Sequence, residues 1–437
     1  MTGLSRRRFL AGLGASGALA ASGLSVWAWR RDPDAPAPPA GPGGPPAGDE
    51  IAFGVPGRTL VVLELAGGND ALSTVVPHAD ARYHELRPTL AVTDPIDLDG
   101  AFGLSPRLRT LARAYAAGRL AIVHGVGFEH PDLSHFESLH RWWTADAPTE
   151  ATGWIGRYLD ATVGFDDPLA AVSLGAAPSP ALAGVASFAT AIADAGGLRP
   201  DVLDGDARRA LLDAWSRMVP QRLSGGLAGE VERAIAGTAS ARERLAAMLG
   251  DEAGARRPGG GRAGLGMADA LALAARLAAA ADAPRVVYVQ AAGDFDTHRG
   301  QAARHDALMQ QLDEGVDAFL RTLEAAGAAD RVVLATVSEF GRRVRENGSG
   351  TDHGTAAAHL VVGPVVQGGM HGEPPSLRDL DEAGNPVPTT AVHDYYATLL
   401  DWLGVDGEPV LGRPVRPLPV FRDAPGRARP ARVAPPG

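Results

Sequence analysis

The 437-residue sequence contains no cysteine and no lysine, and these two absences exclude several kinds of chemistry. Without cysteine, the chain has no disulfide, no thiolate nucleophile and no cysteine-ligated zinc or iron–sulfur site. All 41 basic residues are arginine, so enzymes that depend on a Schiff-base, P-loop or kinase lysine are excluded as well. Stability must come from packing rather than from covalent cross-links.

An excess of positive charge is also missing. The sequence has 41 basic and 51 acidic residues, which gives a net charge of -10. Because phosphate backbones are bound by basic surfaces, we expect no nucleic acid among the partners. The length is ample for one large α/β domain with a subdomain, or for two domains.

The N-terminal region reads as an export signal. Residues 5–10, SRRRFL, form a twin-arginine motif, and an apolar stretch without acidic residues follows to Trp29. This pattern predicts export in the folded state by the twin-arginine machinery, to the periplasm or beyond. The alternative is an ordinary membrane anchor, since about 20 apolar residues can span a bilayer. Small residues at 18–20 and 20–22 suit a signal peptidase, whereas the Trp and Arg residues at 27–31 suit an uncleaved anchor.

Composition divides the chain into four parts. We assign residues 1–32 to the signal or anchor, which is the only part expected to meet the membrane, and 33–50, rich in Pro, Ala and Gly, to an extended linker. The folded domain is predicted over 51–423, and a disordered tail over 424–437.

Alternating apolar runs and helical patterns predict the fold class within that domain. Strands are predicted at 59–65, 119–124, 285–290, 331–337 and 359–362, and helices at 107–117, 302–326 and 392–403. Such alternation indicates an α/β fold with a mostly parallel sheet and helices on both faces. Residues 200–282 are almost wholly helical in pattern and read either as a helical subdomain inserted into the sheet domain or as ordinary surface helices.

Polar clusters follow several of the predicted strands. Gly68-Asn69-Asp70 follows the first strand, while residues 293–298 (GDFDTH) and 338–343 (SEFGRR) follow later ones, and Asp352-His353-Gly354 precedes the last. Functional loops gather at the carboxyl ends of parallel strands. Carboxylates and imidazoles gathered there are ligands for a divalent metal, and acids in such number need a cation or a proton between them.

The individual ligand candidates each have a structural alternative. Asp294 and His298 are four residues apart and lie on one face if a helix begins there, and Asp296 between them is a further candidate. The alternative is that Asp294 or Thr297 caps the helix that begins at Gln301. Asp352-His353 could be an Asx-turn beside Gly354, yet His353 is the best imidazole in the chain for a metal.

Residues 130–137, HPDLSHFE, open a predicted helix and place Ser134 at its N-terminus. There the amides and the helix dipole stabilise an anion. Ser134 could be an N-cap with Glu137 completing a capping box, or a nucleophile activated by a nearby metal. The sequence leaves both interpretations open.

The ordered motifs resemble the bacterial family catalogued as domain of unknown function 1501. The resemblance runs from about Leu60 to Leu403 and rests on LAGGND at 65–70, RPTL at 87–90, SHF at 134–136, DFDTH at 294–298, SEFGRR at 338–343, ENG at 346–348 and TDHG at 351–354. That family is typically exported by the twin-arginine route and is thought to share the alkaline phosphatase and sulfatase fold. No established reaction comes with it.

The superfamily scheme implies roles for residues of this chain. Asp70 would bind one metal, Ser134 would be the nucleophile (with Ser73 or Thr74 as lesser candidates), and Asp294 and His298 would bind metal. Where the scheme has an Asp-His pair this chain has Glu339-Phe340. The Glu339 carboxylate would bind metal, whereas Phe340 lacks the imidazole, so the second metal site is incomplete. His353 matches the final histidine, with Asp352 beside it.

Together these roles imply a hydrolase of small phosphate or sulfate esters that uses one or two divalent ions, either zinc, manganese or calcium. Arg342 or Arg343 would clamp the anion unless both face solvent or pair with neighbouring acids. The competing hypothesis is an exported binding or scaffold protein that keeps the fold without turnover. A carboxylate-only hydrolase is disfavoured because His298 and His353 accompany the acids.

Overall fold

A computed structural model describes the backbone of residues 24–28 and describes residues 55, 57–147, 152–175, 177–192, 237, 240–241, 243–245, 247–249, 265–290 and 293–422. Within these ranges, no helix combines the length and the hydrophobicity that crossing a bilayer requires. The twin-arginine motif, the predicted linker and the predicted C-terminal tail lie outside the described residues.

One large sheet forms the centre of the molecule. Its strands are β1 (Leu24–Ala28), β2 (Thr59–Glu64), β6 (Leu120–Gly127), β7 (Ala171–Leu174), β8 (Phe188–Ile192), β9 (Val286–Gln290), β10 (Val332–Val337), β11 (Ala357–Val362), β12 (Gly369–His371) and β13 (Thr390–Ala391). The order is β1-β8-β7-β9-β2-β10-β11-β6-β12, and β13 also pairs with β6. A separate small sheet contains β3 (Val75–Val76), β4 (Ile96–Asp97) and β5 (Gly103–Leu104).

The large sheet is mostly parallel. All pairings from β8 through β7, β9 and β2 to β10 are parallel, as are those of β12 and β13 with β6. The strand β11 runs antiparallel to both β10 and β6, and β1 runs antiparallel to β8. The predicted mostly parallel α/β sheet is therefore confirmed, and each of the five predicted strands is present.

The helices are α1 (Ala71–Thr74), α2 (Ala81–Leu86), α3 (Arg109–Ala116), α4 (His135–Thr144), α5 (Trp154–Thr162), α6 (Met267–Ala279), α7 (Gln301–Ala325), α8 (Val392–Trp402) and α9 (Gly407–Leu411), with 3-10 turns at Pro180–Leu182 and Ala329–Arg331. The predicted helices at 107–117, 302–326 and 392–403 correspond to α3, α7 and α8.

Both faces of the sheet are covered by helices, as predicted. In β2, Val61 and Leu63 belong to the core shared with α3, α6 and α7, whereas Leu60 and Val62 belong to the core shared with α5, α8 and α9. Successive side chains of a strand point to opposite faces. A strand buried on both faces therefore reads as a continuous apolar run, which is why 59–64 was recognisable.

Two predicted segments are described only in part. Within the proposed signal segment, Leu24–Ala28 pair with Phe188–Ile192 at the edge of the sheet. Within the proposed helical insertion at 200–282, the described residues are helical at 237, 240–241, 243–245 and 247–249 and in α6. Ala241, Leu245 and Leu249 are buried in the same core as α6, and the limits of the insertion stay a prediction.

The sheet order explains where the polar loops meet. Strands β9, β2 and β10 are adjacent and parallel, so the loops that follow them leave from one edge of the sheet. These are the loops that carry residues 293–298, 65–70 and 338–343.

A buried histidine in β11 predicts a pH dependence of stability. His359 is 1% exposed, and neither ring nitrogen has a hydrogen-bond partner among the described residues. Burial lowers its pKa from 6.5 to about 3. The unfolded chain takes up a proton below pH 6.5 and the folded chain does not, so stability is complete above pH 6.5 and falls as the pH drops toward 3.

The free energy of unfolding of the wild type should fall between pH 6.5 and pH 5. In a His359→Phe variant we expect it to fall by about 2 kcal/mol less over the same pH range. Urea unfolding at both pH values measures this difference. The buried His124 and His305 are present in both proteins, so their titration cancels. Parallel losses in the two proteins would show that His359 takes up its proton in the folded state.

Candidate metal centre

The Asp296 carboxylate lies at the centre of a cluster of cationic and imidazole groups. Its Oδ1 is 2.8 Å from Arg342 Nη2, 3.1 Å from His298 Nε2 and 3.3 Å from His353 Nε2, and its Oδ2 is 3.6 Å from His135 Nε2. Partial burial would raise the pKa of Asp296, but the Arg342 guanidinium outweighs it, and the pKa is lowered to about 2. Asp296 is therefore a carboxylate at neutral pH.

His135 and His353 present their Nε2 atoms to this cluster. His135 Nδ1 is 2.9 Å from Glu339 Oε1, and His353 Nδ1 is 2.8 Å from the backbone oxygen of Leu133. An acceptor at Nδ1 keeps the proton there and leaves the Nε2 lone pair available. The hydrogen bond to Glu339 raises the pKa of His135, whereas burial lowers that of His353.

His298 has the same orientation at the solvent side of the cluster. Its Nδ1 is 3.4 Å from Asp352 Oδ1, and its Nε2 is 2.9 Å from His353 Nε2. The Asp352 carboxylate also accepts a hydrogen bond from Asn347 at 2.9 Å, which together with His298 lowers the pKa of Asp352. Three imidazoles therefore direct Nε2 toward Asp296.

Glu339 connects the cluster to the sheet. The Glu339 side chain is 1% exposed. Its Oε1 accepts a hydrogen bond from the amide of Gly67 and also faces His135 Nδ1. Ser338 Oγ accepts from the amide of Asn69 and donates to the carbonyl of Leu65, both at 2.9 Å. The end of β10 thereby fixes the loop after β2.

Glycine is required where that loop approaches the other two. Gly67 and Gly68 have φ values of 110° and 76°, a region that side chains other than glycine rarely adopt. A Cβ at Gly67 would collide with the backbone of Asp296, and one at Gly68 with the ring of Phe340. The paired glycines therefore allow the backbone to pass directly beneath the cluster.

Arg342 is buried and donates to several backbone carbonyls. Besides Asp296, it donates to the carbonyls of Gly68 at 2.7 Å, Thr351 at 2.9 Å and Phe295 at 3.0 Å, and to that of Gly67. Of the alternatives raised by the sequence, the structure shows the pairing of Arg342 with a neighbouring acid. Nε and Nη2 are taken up by these contacts, so Arg342 holds Asp296 and the loops in place.

Phe340 is the residue at which the family resemblance implied a histidine. Its ring packs 4.3 Å from that of His353 and 5.0 Å from that of His135, centroid to centroid. It is 2% exposed. Phe340 thus supports two imidazoles by packing instead of offering a ligand atom.

Helix α4 positions His135 in its first turn. Trp143 near the other end of α4 donates from Nε1 to Glu64 Oε2 at 2.9 Å, and Tyr288 donates to the same oxygen at 2.5 Å. Burial raises the pKa of this carboxyl. The contact ties α4 to the carboxyl ends of β2 and β9.

Asp70, a predicted metal ligand, lies in a buried network of its own. It is 0% exposed and pairs with the fully buried Arg87 through contacts of 2.5 and 3.0 Å. Its Oδ2 also accepts from Gln301 at 2.5 Å and from Ser73 at 2.6 Å. Burial would raise the pKa of Asp70, but Arg87 outweighs it and lowers the pKa to about 2. The cation beside Asp70 is therefore the Arg87 guanidinium, where the sequence had predicted a metal ion.

Asp294 and Arg343 are placed outside the central group. Asp294 is 71% exposed at its side chain and pairs with Arg304 at 2.8 Å. The predicted cap of the following helix is not formed by Asp294 or Thr297, because Gly300 is the N-cap of α7. Arg343 is half-buried, and its Nε has no hydrogen-bond partner within the part of the chain that the structure describes.

Ser134 is the N-cap residue of α4, directly before His135. Its side chain makes no capping hydrogen bond, so the capping-box alternative with Glu137 is not what the structure shows. Ser134 is exposed. The lesser nucleophile candidates, Ser73 and Thr74, are buried and engaged by Asp70 and Asn69.

The sequence did not predict His135 as a ligand, although it lies in the SHF motif at 134–136. Its position at the start of a predicted helix, beside Ser134, was the feature that could have indicated it. What could not be seen was that α4 faces the loops after β9 and β10, because that contact joins residues more than 150 positions apart in the chain.

Three ligand atoms, one each from His135, Asp296 and His353, lie within 4.8 Å of one another. Two imidazole nitrogens and one carboxylate oxygen are a donor set that divalent zinc accepts, with a fourth position open to a water or a substrate. The predicted ligands Asp296 and His353 are in this group. His298 and Glu339 contact its members, and Asp352 contacts His298.

Comparisons with known proteins support the family that the sequence motifs indicated. No curated protein matches the chain. Among solved structures, the chain is similar to Ps i-CgsB in complex with k-i-k-neocarrahexaose (11% identity, 82% of this chain and 75% of that chain, TM-score 0.39). It is also similar to a protein in the alkaline phosphatase superfamily from Vibrio parahaemolyticus (11%, 82% and 69%, TM-score 0.36) and to a phosphonate monoester hydrolase from Silicibacter pomeroyi (11%, 82% and 77%, TM-score 0.32). The model of the family described as "Protein of unknown function (DUF1501)" matches residues 121–417, and the chain belongs to that family.

Proposed function

We propose that this protein is a metal-dependent hydrolase of small phosphate or sulfate esters. The observation that carries the proposal is the orientation of two imidazoles. His135 and His353 each have Nδ1 on a fixed acceptor and Nε2 beside the Asp296 carboxylate. Metal-binding histidines are held in this way by their outer partners.

Asp296, His135 and His353 would hold one divalent ion, with His298 at the solvent side as a further ligand. The nitrogen-rich donors suit zinc better than manganese or calcium, which prefer oxygen. When bound, such an ion polarises an ester oxygen and favours a deprotonated nucleophile. Asp70 is held by Arg87, so in this proposal it supports the loop and contacts no metal.

Ser134 is the proposed nucleophile because its free hydroxyl starts the helix whose first residue is His135. Attack of Oγ on phosphorus or sulfur would form a serine ester and expel the alcohol, and water would then cleave that ester. The first amides of α4 favour the negative charge of the substrate. Arg343 is the remaining arginine candidate for contact with the anion.

The alternative proposal is a binding module without turnover, and one observation favours it. Arg342 already pairs with Asp296 and donates to loop carbonyls. The charge of the central Asp296 carboxylate is thereby balanced without any added cation. In either case we propose export by the twin-arginine route to the periplasm or beyond, supported by residues 5–10, with anchoring if the signal is retained.

Metal content tests the proposal. We expect the protein purified after native export to contain one divalent ion per chain by elemental analysis. A His135→Ala variant should lose about a hundredfold or more in zinc affinity by calorimetric titration, since even partners behind a ligand contribute about 10–100-fold. Asp296→Asn should behave similarly.

Two matched variants serve as controls. His140 is an exposed histidine on the same helix α4, and Asp294 is an exposed acid two residues from Asp296. His140→Ala and Asp294→Asn should bind metal as the wild type does. Wild-type protein that stays metal-free when supplied with zinc, manganese or calcium would reject the hydrolase proposal and leave the binding module.

A further inference from the structure

A cavity lies beside Arg342 and is separate from the candidate metal centre. Its volume is about 400 Å³, and its walls include Val75, Phe102, Ala357, Pro374 and Leu377. Arg342 is also part of its wall, whereas His135, Asp296 and His353 are not. A volume of this size is within the range of small-molecule sites.

The charged groups at this cavity are already paired. Asp80 and Arg378 at its border bind each other through two contacts of 2.9 and 3.0 Å. The guanidinium of Arg342 is occupied by Asp296 and by backbone carbonyls. Because an ion entering the cavity would meet no free counter-charge from these three residues, the lining suits a neutral, mainly apolar molecule.

One polar group in the wall is incompletely bonded. His124 is 3% exposed, and its Nε2 lies 3.2 Å from the sulfur of Met370. A thioether only accepts, so Nε2 carries the proton and Nδ1 has a free lone pair. Nδ1 has no hydrogen-bond partner in the part of the chain that the structure describes. Burial lowers the pKa of His124 to about 4, so the ring is neutral at pH 7.

We propose that this cavity binds a small, neutral alcohol or phenol whose hydroxyl donates to His124 Nδ1. The apolar walls take the hydrocarbon part of the ligand. The ring of Phe102, whose centroid is 5.1 Å from that of His124, lies beside the hydroxyl site. The site is independent of the proposed metal chemistry, since none of the three ligands lines it.

Phenol and anisole form a matched pair of probes, because anisole keeps the ring and lacks the donor. Calorimetric titration of the full chain in the presence of EDTA should show phenol binding about three- to tenfold more tightly, which is the effect of one net hydrogen bond. A His124→Phe variant should bind both probes equally. EDTA removes any phenol binding to a metal, so failure here leaves the hydrolase proposal untouched.

A second variant keeps the test decisive if His124→Phe does not fold. Ala101 is exposed at the border of the cavity, and Ala101→Phe should weaken phenol binding without changing the circular dichroism spectrum. The proposal is overturned if phenol has no advantage over anisole in the wild type. It is equally overturned if the advantage persists in His124→Phe, or if Ala101→Phe binds phenol as the wild type does.

Discussion

Replacing Arg87 with methionine should destabilise the protein by about 3–5 kcal/mol, the cost of breaking a buried ion pair from one side. Arg87 and Asp70 are both 0% exposed, and two contacts of 2.5 and 3.0 Å join them. Without the guanidinium, the Asp70 carboxylate would be buried with its charge uncompensated. Urea unfolding at pH 7 measures the loss.

Two further variants isolate this effect. Arg107 forms an exposed pair with Asp306 at 2.7 Å. Because solvent screens such a pair, Arg107→Met should cost far less stability than Arg87→Met. The double variant Asp70→Asn with Arg87→Met removes the orphaned charge and should recover part of the stability. A loss in Arg87→Met no larger than that in Arg107→Met would contradict the buried pair.

The same arginine also reaches the loop after β10. Its Nε donates to the carbonyl of Val344 and its Nη2 to that of Arg343, both at 2.9 Å. Gln301 extends the network by accepting from Thr351 at 2.7 Å. The ion pair therefore lies beneath the loops that carry Arg342 and His353, so the Arg87→Met variant should also weaken metal binding.

The sequence predicted the centre of the fold better than its edges. Strands such as β2 and β10 are buried on both faces and read as continuous apolar runs. By contrast, β7 and β8 were missed, because 171–174 (AVSL) and 188–192 (FATAI) are short and contain Ser, Thr and Ala. The antiparallel direction of β11 was not recognised either, since strand direction depends on partners distant in the chain.

For the site, the sequence predicted which loops meet but not which side chains face inward. Asp294 and Asp296 follow the same strand and are two residues apart, yet Asp294 pairs with Arg304 while Asp296 contacts the imidazoles. The partner of Asp70 is a guanidinium from α2's C-terminal end, a choice that no local pattern specifies. Long-range packing decided each of these cases.

Replacing Ser134 with alanine should lower ester hydrolysis by at least about a thousandfold if Ser134 is the nucleophile, because losing the attacking atom removes covalent catalysis. The turnover of p-nitrophenyl phosphate and p-nitrophenyl sulfate by metal-loaded protein measures this. Metal content should not change, since the Ser134 side chain makes no hydrogen bond to the cluster in the described residues. That separates a chemical role from a loss of the metal.

Ser349 offers a matched control for this variant. It is an exposed serine in the segment that leads to His353, and Ser349→Ala should keep wild-type turnover. Ser134→Thr keeps a hydroxyl at the start of α4 and should retain more activity than Ser134→Ala. If Ser134→Ala turns over both esters as fast as the wild type, then a water molecule, and not this serine, attacks the ester. His135, Asp296 and His353 would in that case bind the metal that activates the water.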